Sequence, residues 1–465
     1  MKTTRATNFH EATRREFLRR ASAVSVTGVA APWALNLAAI GEAAAQSAGD
    51  YKALVCVFLY GGNDHANTLV PYDDASYAAY ARMRGGLGVA RGALAPTVLQ
   101  PAAPLADARQ FALAPQLAPL KPIFDAGAMT VLLNVGTLVV PTTKAQYAAR
   151  SVPLPPKLYS HNDQQSVWQA GAGEGATSGW GGRIGDLVVS GNGNATFTAV
   201  SVAGNAVYLT GRNIAQYQVS SSGSVAINGI GSSLYGSASA AQALRQLVTK
   251  LTSSHLMQQA HAQVTQRSIE ADVVLRSALA SSPTWSTPFP ATNLAGQLSM
   301  VARMIAARDA LTAKRQVFFV GIGGFDVHDS LLAVHSGLLQ EVGDAIAAFY
   351  AATQQMGVSS QVTTFTASDF GRTLTSNGDG SDHGWGSFHF VVGDAVRGRS
   401  FIGKAPEMAD NGPDDVGQGR LLPALSVQEF GASLATWMGV SSGNLATVVP
   451  GIGNFANGAG LPVFR

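Results

Sequence analysis

Four runs of strand length divide the chain, at residues 51–60, 129–135, 316–320 and 361–366, and the first three are mainly apolar. The first run, YKALVCVFLY, ends abruptly in the polar tetrapeptide GGND, and glycine or polar residues soon follow the other three. An uninterrupted apolar strand, covered on both faces, is typical of a parallel sheet. The pattern therefore predicts a central sheet that is mostly parallel.

Helical spacing of apolar positions fills the intervals, at residues 160–171, 237–281, 292–312 and 331–356. The order of strand, polar loop and helix predicts an α/β fold of three layers, α/β/α, with helices on both faces of the sheet. Residues 194–230 are rich in Gly, Ser, Asn, Thr and Val and are typical of short strands and turns. We therefore expect one α/β domain over residues 46–465, with an insertion of short strands and helices at about 190–310.

The first 45 residues have the pattern of an export signal. The hexapeptide TRREFL carries the paired Arg14 and Arg15 of a twin-arginine signal, and a mildly apolar stretch follows at 21–40. The AAA sequence at 43–45 fits a cleavage site for residues 1–45. The sequence thus predicts a periplasmic or secreted protein, exported by the twin-arginine machinery, with no stable membrane span after cleavage. A retained anchor of about 20 residues is the alternative.

Charge and cysteine content narrow the classes of partner and of site. Lysine and arginine outnumber aspartate and glutamate by 31 to 28, and the excess lies within the first 45 residues. The remaining chain is neutral overall, which argues against a nucleic-acid partner. The single cysteine, Cys56, lies in an apolar run, where it is expected in the core. A single cysteine cannot form an internal disulfide or a zinc cluster built on thiolates. A metal site must therefore use histidine nitrogens or the oxygens of Asp and other polar residues.

Aspartate and histidine recur just after the predicted strands. In an open α/β sheet, ligands bind beyond the carboxyl ends of the strands, so these side chains are expected near one spot. Carboxylates crowded together repel unless a cation joins them, and such a set suits one or two divalent ions, with zinc or manganese favoured. The candidate ligands are Asp64, Asp326, His328, Asp369, Asp382 and His383.

Six of the nine histidines lie in these strand-end segments or in the helices beside them.

Glycine-rich loops are also compatible with a nucleotide site, but GIGG at 321–324 lacks the third glycine of the dinucleotide fingerprint, and no Walker lysine is present. The GVSSG sequence at 439–443 follows a predicted helix rather than a strand, so it is interpreted as a helix-ending turn and not as an esterase elbow.

Seven segments carry a resemblance to a known family: GGNDHANTLVP, PTTKAQY, SHNDQQSVWQ, GWGGR, GGFDVHD, TASDFGRTL and GSDHGWGSFH. In this order and with a twin-arginine signal, they resemble the exported bacterial domain-of-unknown-function family 1501. That family is similar to the alkaline phosphatase and sulfatase superfamily. The resemblance implies an alkaline-phosphatase-like fold, one or two divalent metals, and hydrolysis or transfer of phosphate or sulfate esters.

The resemblance transfers only in part to individual residues. Asp64 matches the metal-binding aspartate after the first core strand, with Asn63 as a rival, whereas Phe370 stands where a histidine should follow Asp369. Asp382 and His383 form an Asp-His pair that lies further into the loop. Asp326 and His328 are separated by one residue, where the superfamily has three.

The resemblance also implies a nucleophile at a helix N-terminus. Ser160 fits by position, as the expected N-cap of the helix at 160–171, and Thr142 and Thr143 are rivals. Arg372 and Arg183 are the candidate clamps for an anionic ester substrate; either could instead pair with a core carboxylate, and for Arg183 this pairing is the favoured interpretation. We therefore expect an exported metal-dependent hydrolase of phosphate or sulfate esters. The alternative is a non-catalytic exported binding or assembly protein on a degenerate hydrolase fold.

Overall fold

The computed structural model describes residues 51–252 and 255–465, and a ten-stranded mixed sheet lies at its centre. The predicted signal peptide, residues 1–45, falls outside the described residues. The strands are β1 (Lys52–Leu59), β2 (Leu69–Pro71), β3 (Phe111–Leu113), β4 (Met129–Gly136), β5 (Ala199–Ser201), β6 (Tyr217–Ser220), β7 (Gly223–Ser224), β8 (Arg315–Ile322), β9 (Val362–Ser368), β10 (Arg372–Ser376), β11 (Ser381–His383), β12 (Ser387–Val392), β13 (Ser400–Ile402) and β14 (Leu425–Ser426).

Helices precede or follow most of the long strands. The α-helices are α1 (Asp74–Arg84), α2 (Arg91–Leu94), α3 (Lys121–Asp125), α4 (Lys144–Ala149), α5 (His161–Ala170), α6 (Trp180–Val188), α7 (Ala238–Val248), α8 (Leu256–Leu279), α9 (Asn293–Ala306), α10 (Leu331–Gln355), α11 (Val427–Met438) and α12 (Leu445–Val448). Short 3-10 helices lie between them, including His65–Asn67 and Pro115–Leu120. Among the described residues, no helix has both the length and the apolar character needed to cross a membrane.

The strands of the central sheet lie in the order β13-β4-β12-β9-β1-β8-β5-β6-β7, and β14 pairs with β4. β1 is parallel to both of its neighbours, so that Cys56 stands beside Phe319 of β8 and Phe365 of β9. Among these ten strands, only β12 and β7 run antiparallel to their neighbours. The carboxyl ends of β9, β1 and β8 therefore lie side by side at one edge of the sheet.

Helices cover both faces of this sheet because the side chains of each long strand alternate between two apolar cores. Val55 and Val57 of β1 lie in one core with residues of α9 and α10. Leu54 and Cys56 lie in the other core, with residues of α6 and α11. Complete burial of a valine or leucine side chain contributes about 1.5–3 kcal/mol, which explains why most positions of the long strands are apolar, although β4 also buries Asn134 and β9 buries three threonines. The predicted three-layer α/β/α class is confirmed.

The segment predicted as an insertion, residues 190–310, contributes to the same architecture. β5 and β6 extend the central sheet beside β8, and α9 packs against α10 on one face. The helix α8 contacts this core through Ala271, Leu275 and Leu279. The division of the chain at 190 and 310 stays a prediction.

Candidate metal centre

Residues from four segments meet at the edge where β9, β1 and β8 end. Asp326 and His328 follow β8, Asp369 follows β9 directly, His383 ends β11, and His161 is the first residue of α5. The loops after β1 and β8 approach so closely that a Cβ on Gly61 would stand 2.3 Å from the backbone nitrogen of Asp326. Gly61 also has φ +112°, so this position requires glycine.

Three imidazole nitrogens converge on the carboxylate of Asp326. Nε2 of His161 lies 3.3 Å from Oδ2 of Asp326, and Nε2 of His328 and of His383 lie 2.9 and 3.1 Å from Oδ1. Nε2 of His383 is also 3.1 Å from Nε2 of both other rings. These four side chains are called the His3Asp cluster below.

The opposite ring nitrogen of each histidine already has an acceptor. Nδ1 of His161 lies 2.7 Å from Oδ2 of Asp369, and Nδ1 of His383 lies 2.7 Å from the carbonyl oxygen of Tyr159. Nδ1 of His328 lies 3.2 Å from Oδ1 of Asp382. Because a neutral imidazole has one N–H, these contacts place the proton on Nδ1 and leave the Nε2 lone pairs directed at one another.

Such convergence of lone pairs is unfavourable without a cation, and a divalent ion fits the spacing. Two ligands at a Zn–N distance of about 2.0–2.1 Å in a tetrahedron are about 3.3 Å apart. The contacts within the His3Asp cluster range from 2.9 to 3.3 Å. The ligand atoms of His161, Asp326 and His383 all lie within 4.8 Å of one another. Histidines that bind metals usually donate their other N–H to a carboxylate or carbonyl, as these three do.

The carboxylate of Asp326 is charged at neutral pH, and the cluster is open to solvent. Burial raises the pKa of Asp326, but the hydrogen bond and charge of Arg372, together with His161 and His328, outweigh burial and lower this pKa to about 2. The hydrogen bond to Asp369 raises the pKa of His161 above its ordinary value, whereas burial lowers that of His383. The side chain of Asp326 is 45% exposed, so solvent and a small ligand have access to the cluster.

Two of the predicted metal ligands lie behind the histidines and orient them. Oδ2 of the fully buried Asp369 accepts hydrogen bonds from His161, from Nε2 of Gln165 at 2.9 Å and from the backbone N–H of Gly61 at 3.1 Å. Its other oxygen, Oδ1, has no partner among the described residues. Oδ1 of Asp382 accepts from His328 and from Nδ2 of Asn377.

The structure places Asp64 outside the His3Asp cluster. Its Oδ2 makes a 2.6 Å salt bridge with Nη2 of Arg84 and accepts from Oγ of Ser381 at 3.1 Å. Its Oδ1 accepts from the backbone N–H of Asn67. Arg84 and Asp64 are 0% and 1% exposed, so the guanidinium already supplies the positive charge that a metal was expected to supply.

The predicted nucleophile and anion clamp also have other partners. Oγ of Ser160 donates to Oδ2 of Asp163 at 3.0 Å and makes no capping bond to the helix backbone. The buried Arg372 donates through Nη1 to Asp326 and to the carbonyl of Gly61, and through Nε and Nη2 to the carbonyl of Ser381. Its guanidinium therefore supports Asp326 and the surrounding loops.

Sequence reasoning missed His161, which lies next to the candidate nucleophile. A signal was available, because His161 follows the N-cap position of a helix at the strand ends. Phe370, which stands where the superfamily pattern has a histidine, packs with its ring centroid 5.0 Å from that of His161 and 4.8 Å from that of His383. An apolar ring at this position thus restricts the orientation of two imidazoles in the cluster.

Three further histidines, His65, His335 and His389, lie in the protein interior and are called the buried histidines below. Burial lowers their pKa values to about 4, about 4 and about 3, respectively. Nε2 of His335 contacts Oδ1 of Asn63 at 3.0 Å, whereas neither ring nitrogen of His65 has a partner among the described residues. These histidines are neutral in the folded protein at neutral pH.

Fold and cluster together define a three-layer α/β protein with a candidate centre for a divalent metal ion at its strand ends. The chain belongs to the family described as Protein of unknown function (DUF1501), whose model matches residues 51–445. The family that the sequence motifs indicate is thereby confirmed. No curated protein matches the sequence.

Two solved structures are similar to this chain at a low level. The first is Ps i-CgsB in complex with k-i-k-neocarrahexaose, with 9% identity and a TM-score of 0.34, covering 84% of this chain and 72% of that one. The second is the PsFucS1 sulfatase from Pseudoalteromonas sp., with 6% identity and a TM-score of 0.32, covering 86% of this chain and 71% of that one.

Proposed function

We propose that the chain is an exported metal-dependent hydrolase of phosphate or sulfate esters, with its metal at the His3Asp cluster. The observation that supports this proposal is the convergence of three Nε2 lone pairs on Asp326, each ring being held through Nδ1. Imidazole suits zinc, and carboxylate together with water suits manganese, so these two ions are the first to test.

The chain's own residues would hold and orient the ion. His161, His383 and Asp326 form the compact part of the cluster, and His328 adds a more exposed nitrogen, its side chain being 41% exposed. When bound, a divalent ion would supply Lewis-acid chemistry, which activates water and polarises the ester. Because Oγ of Ser160 is engaged with Asp163, we favour water over Ser160 as the nucleophile.

The test uses the purified exported protein, stripped of metal and reloaded with zinc or manganese, against aryl phosphates and aryl sulfates. His161→Ala should lose both the metal and the turnover. His261→Ala, an exposed histidine of α8, is the matched control and should keep both. Silence toward both substrate panels with one metal ion bound per chain would refute the hydrolase proposal.

A second candidate function follows from the number of ligands. His328 lies beside the three residues whose ligand atoms all fall within 4.8 Å of one another, and with His328 as a fourth ligand a tetrahedral zinc site would be complete. A closed site of this kind is typical of structural rather than catalytic zinc. In that case the chain is an exported binding or assembly protein, whose metal holds the loops after β8 and β11 together. Turnover that is abolished by Asp369→Ala, in a variant that remains folded, would exclude this second function.

A further inference from the structure

Binding of an anionic ester requires a positively charged side chain that can contact its charged group. The two arginines that the sequence suggests for this role, Arg372 and Arg183, already make hydrogen bonds within the protein. The guanidinium of Arg372 donates hydrogen bonds to Asp326 and to backbone carbonyls. Arg183 donates through Nε to Val448, through Nη1 to Ser178 and through Nη2 to Ala170, at backbone carbonyls in each case. Both side chains are buried, so neither presents a free donor to a substrate.

Arg420 lies beside the His3Asp cluster and is half-buried. Its Nε donates to the carbonyl oxygen of His383 at 2.8 Å, and its guanidinium carbon lies 4.8 Å from the ring centroid of Tyr159. Tyr159 is also the residue whose carbonyl oxygen accepts from Nδ1 of His383. Arg420 thus contacts both His383 and Tyr159, the residue whose carbonyl oxygen orients the His383 imidazole.

The loop that carries Arg420 is held firmly against β10. The backbone N–H of Arg420 donates to the carbonyl of Gly417 at 3.1 Å, in a turn where Gly417 and Gly419 have φ +119° and +71°. The backbone N–H of Leu374 donates to the carbonyl of Gly419 at 3.1 Å, and a Cβ on Gly419 would stand 2.6 Å from Cβ of Leu374. The position of Arg420 relative to the hairpin β10–β11 is therefore fixed by backbone contacts.

The donors of Arg420 are only partly used. Nε is bonded to His383, and Nη1 lies 3.5 Å from the carbonyl oxygen of Gly417, at the limit of a hydrogen bond. Nη2 makes no hydrogen bond within the described part of the chain. A planar guanidinium that is fixed at one edge and free at the other is suited to bind the oxygens of a tetrahedral anion.

We propose that the free edge of Arg420 binds the charged group of the substrate, a phosphate or a sulfate, beside His383. This inference rests on the proposed function, since it assigns the substrate's anionic group to a residue next to the same cluster. It makes Arg420 a residue that selects anionic over neutral esters, while the His3Asp cluster holds the metal.

The experiment measures binding of inorganic phosphate and of inorganic sulfate to the full protein by calorimetry, in the zinc-loaded and metal-free forms. In Arg420→Gln, the Kd of the preferred anion should rise about 10- to 100-fold, the range expected for loss of a charge-assisted hydrogen bond. Arg420→Lys should recover part of this affinity, because the charge remains but the planar fork is lost. Arg82→Gln, an exposed arginine of α1, is the control and should bind like the wild type.

Elemental analysis of the same samples separates anion binding from support of the metal ligands. Equal metal content in wild type and Arg420→Gln, with weaker anion binding in the variant, supports the proposal. Unchanged affinity in Arg420→Gln overturns it, as does a zinc-loaded wild type that binds neither anion. A loss of metal in Arg420→Gln also overturns it, because Arg420 would then act through His383. Wild-type protein that takes up no metal refutes the proposed function instead, and the metal-free titrations still test Arg420.

Discussion

Asp64→Asn should destabilise the fold and leave the metal content unchanged. The carboxylate is 1% exposed and forms a 2.6 Å salt bridge with Arg84, which is fully buried. An amide would leave the guanidinium charge buried without its counter-ion, and loss of one partner of such a pair costs about 3–5 kcal/mol. Because Nη1 of Arg84 keeps its 3.1 Å bond to the carbonyl of Thr373, we expect the lower end of this range, about 3 kcal/mol.

The pH dependence of the same pair has a defined sign. Burial has the largest single effect and raises the pKa of Asp64, but the charge and hydrogen bond of Arg84, together with the neighbouring His335 and His65, outweigh it and lower the pKa to about 2, from 3.8. Since the folded-state pKa lies below the unfolded-state value, the carboxylate stabilises the fold above about pH 4, and this contribution is lost as the pH falls toward 2. The difference corresponds to roughly 2–3 kcal/mol at neutral pH, in agreement with the cost of breaking the pair.

Thermal unfolding and elemental analysis together test this reasoning. For a folded chain of this size the entropy of unfolding is roughly 0.9 kcal/mol/K, so a loss of about 3 kcal/mol lowers Tm by ~3 °C. Asp74→Asn is the control, because Asp74 forms a surface pair with Arg91 and such pairs contribute about 0–1 kcal/mol. An Asp64→Asn protein with unchanged Tm and depleted metal would show that Asp64 is a ligand.

Three further predictions address the support of the cluster, the interior and the core. Asp369→Asn should weaken zinc affinity about 10- to 100-fold in competition with a chelator, because Nδ1 of His161 loses its charged acceptor; unaltered affinity would contradict the role given to Asp369. The buried histidines have folded-state pKa values below the ordinary 6.5, so stability should be complete above pH 6.5 and fall as the pH decreases toward 4, by up to ~4 kcal/mol per pH unit; a Tm that stays level from pH 7 to 4.5 would argue against it. Cys56 is buried and should react with Ellman's reagent only after unfolding, so rapid native labelling would contradict its place in β1.

The long strands could be predicted from sequence because burial on both faces favours apolar and β-branched residues over a run of strand length. β1, β4, β8 and β9 each begin or end within a few residues of the run that indicated them. The antiparallel direction of β12 carries no such signal, since strand direction depends on partners that are distant in the chain. The short strands β5 and β6 contain only three and four residues, too few for a pattern to place them in the central sheet.

The candidate site could be predicted only in part, because residue type does not reveal which atom faces the centre. Asp326, His328 and His383 lie in the His3Asp cluster, whereas Asp369 and Asp382 accept from the outer nitrogens of its imidazoles. Asp64 is paired with an arginine 20 residues away on α1, and no local pattern indicates that contact. His161 was not predicted as a ligand because the N-terminus of its helix was interpreted as the place of a nucleophile, Ser160.

Anomalous diffraction from crystals of the zinc-loaded protein tests the central claim most directly. One anomalous peak per chain is expected within about 2.0–2.2 Å of Nε2 of His161, of Nε2 of His383 and of a carboxylate oxygen of Asp326. Asp369 and Asp382 should stand behind the imidazoles, out of contact with the ion. A peak beside Asp64 in place of this one, or no peak at the His3Asp cluster, would contradict the account.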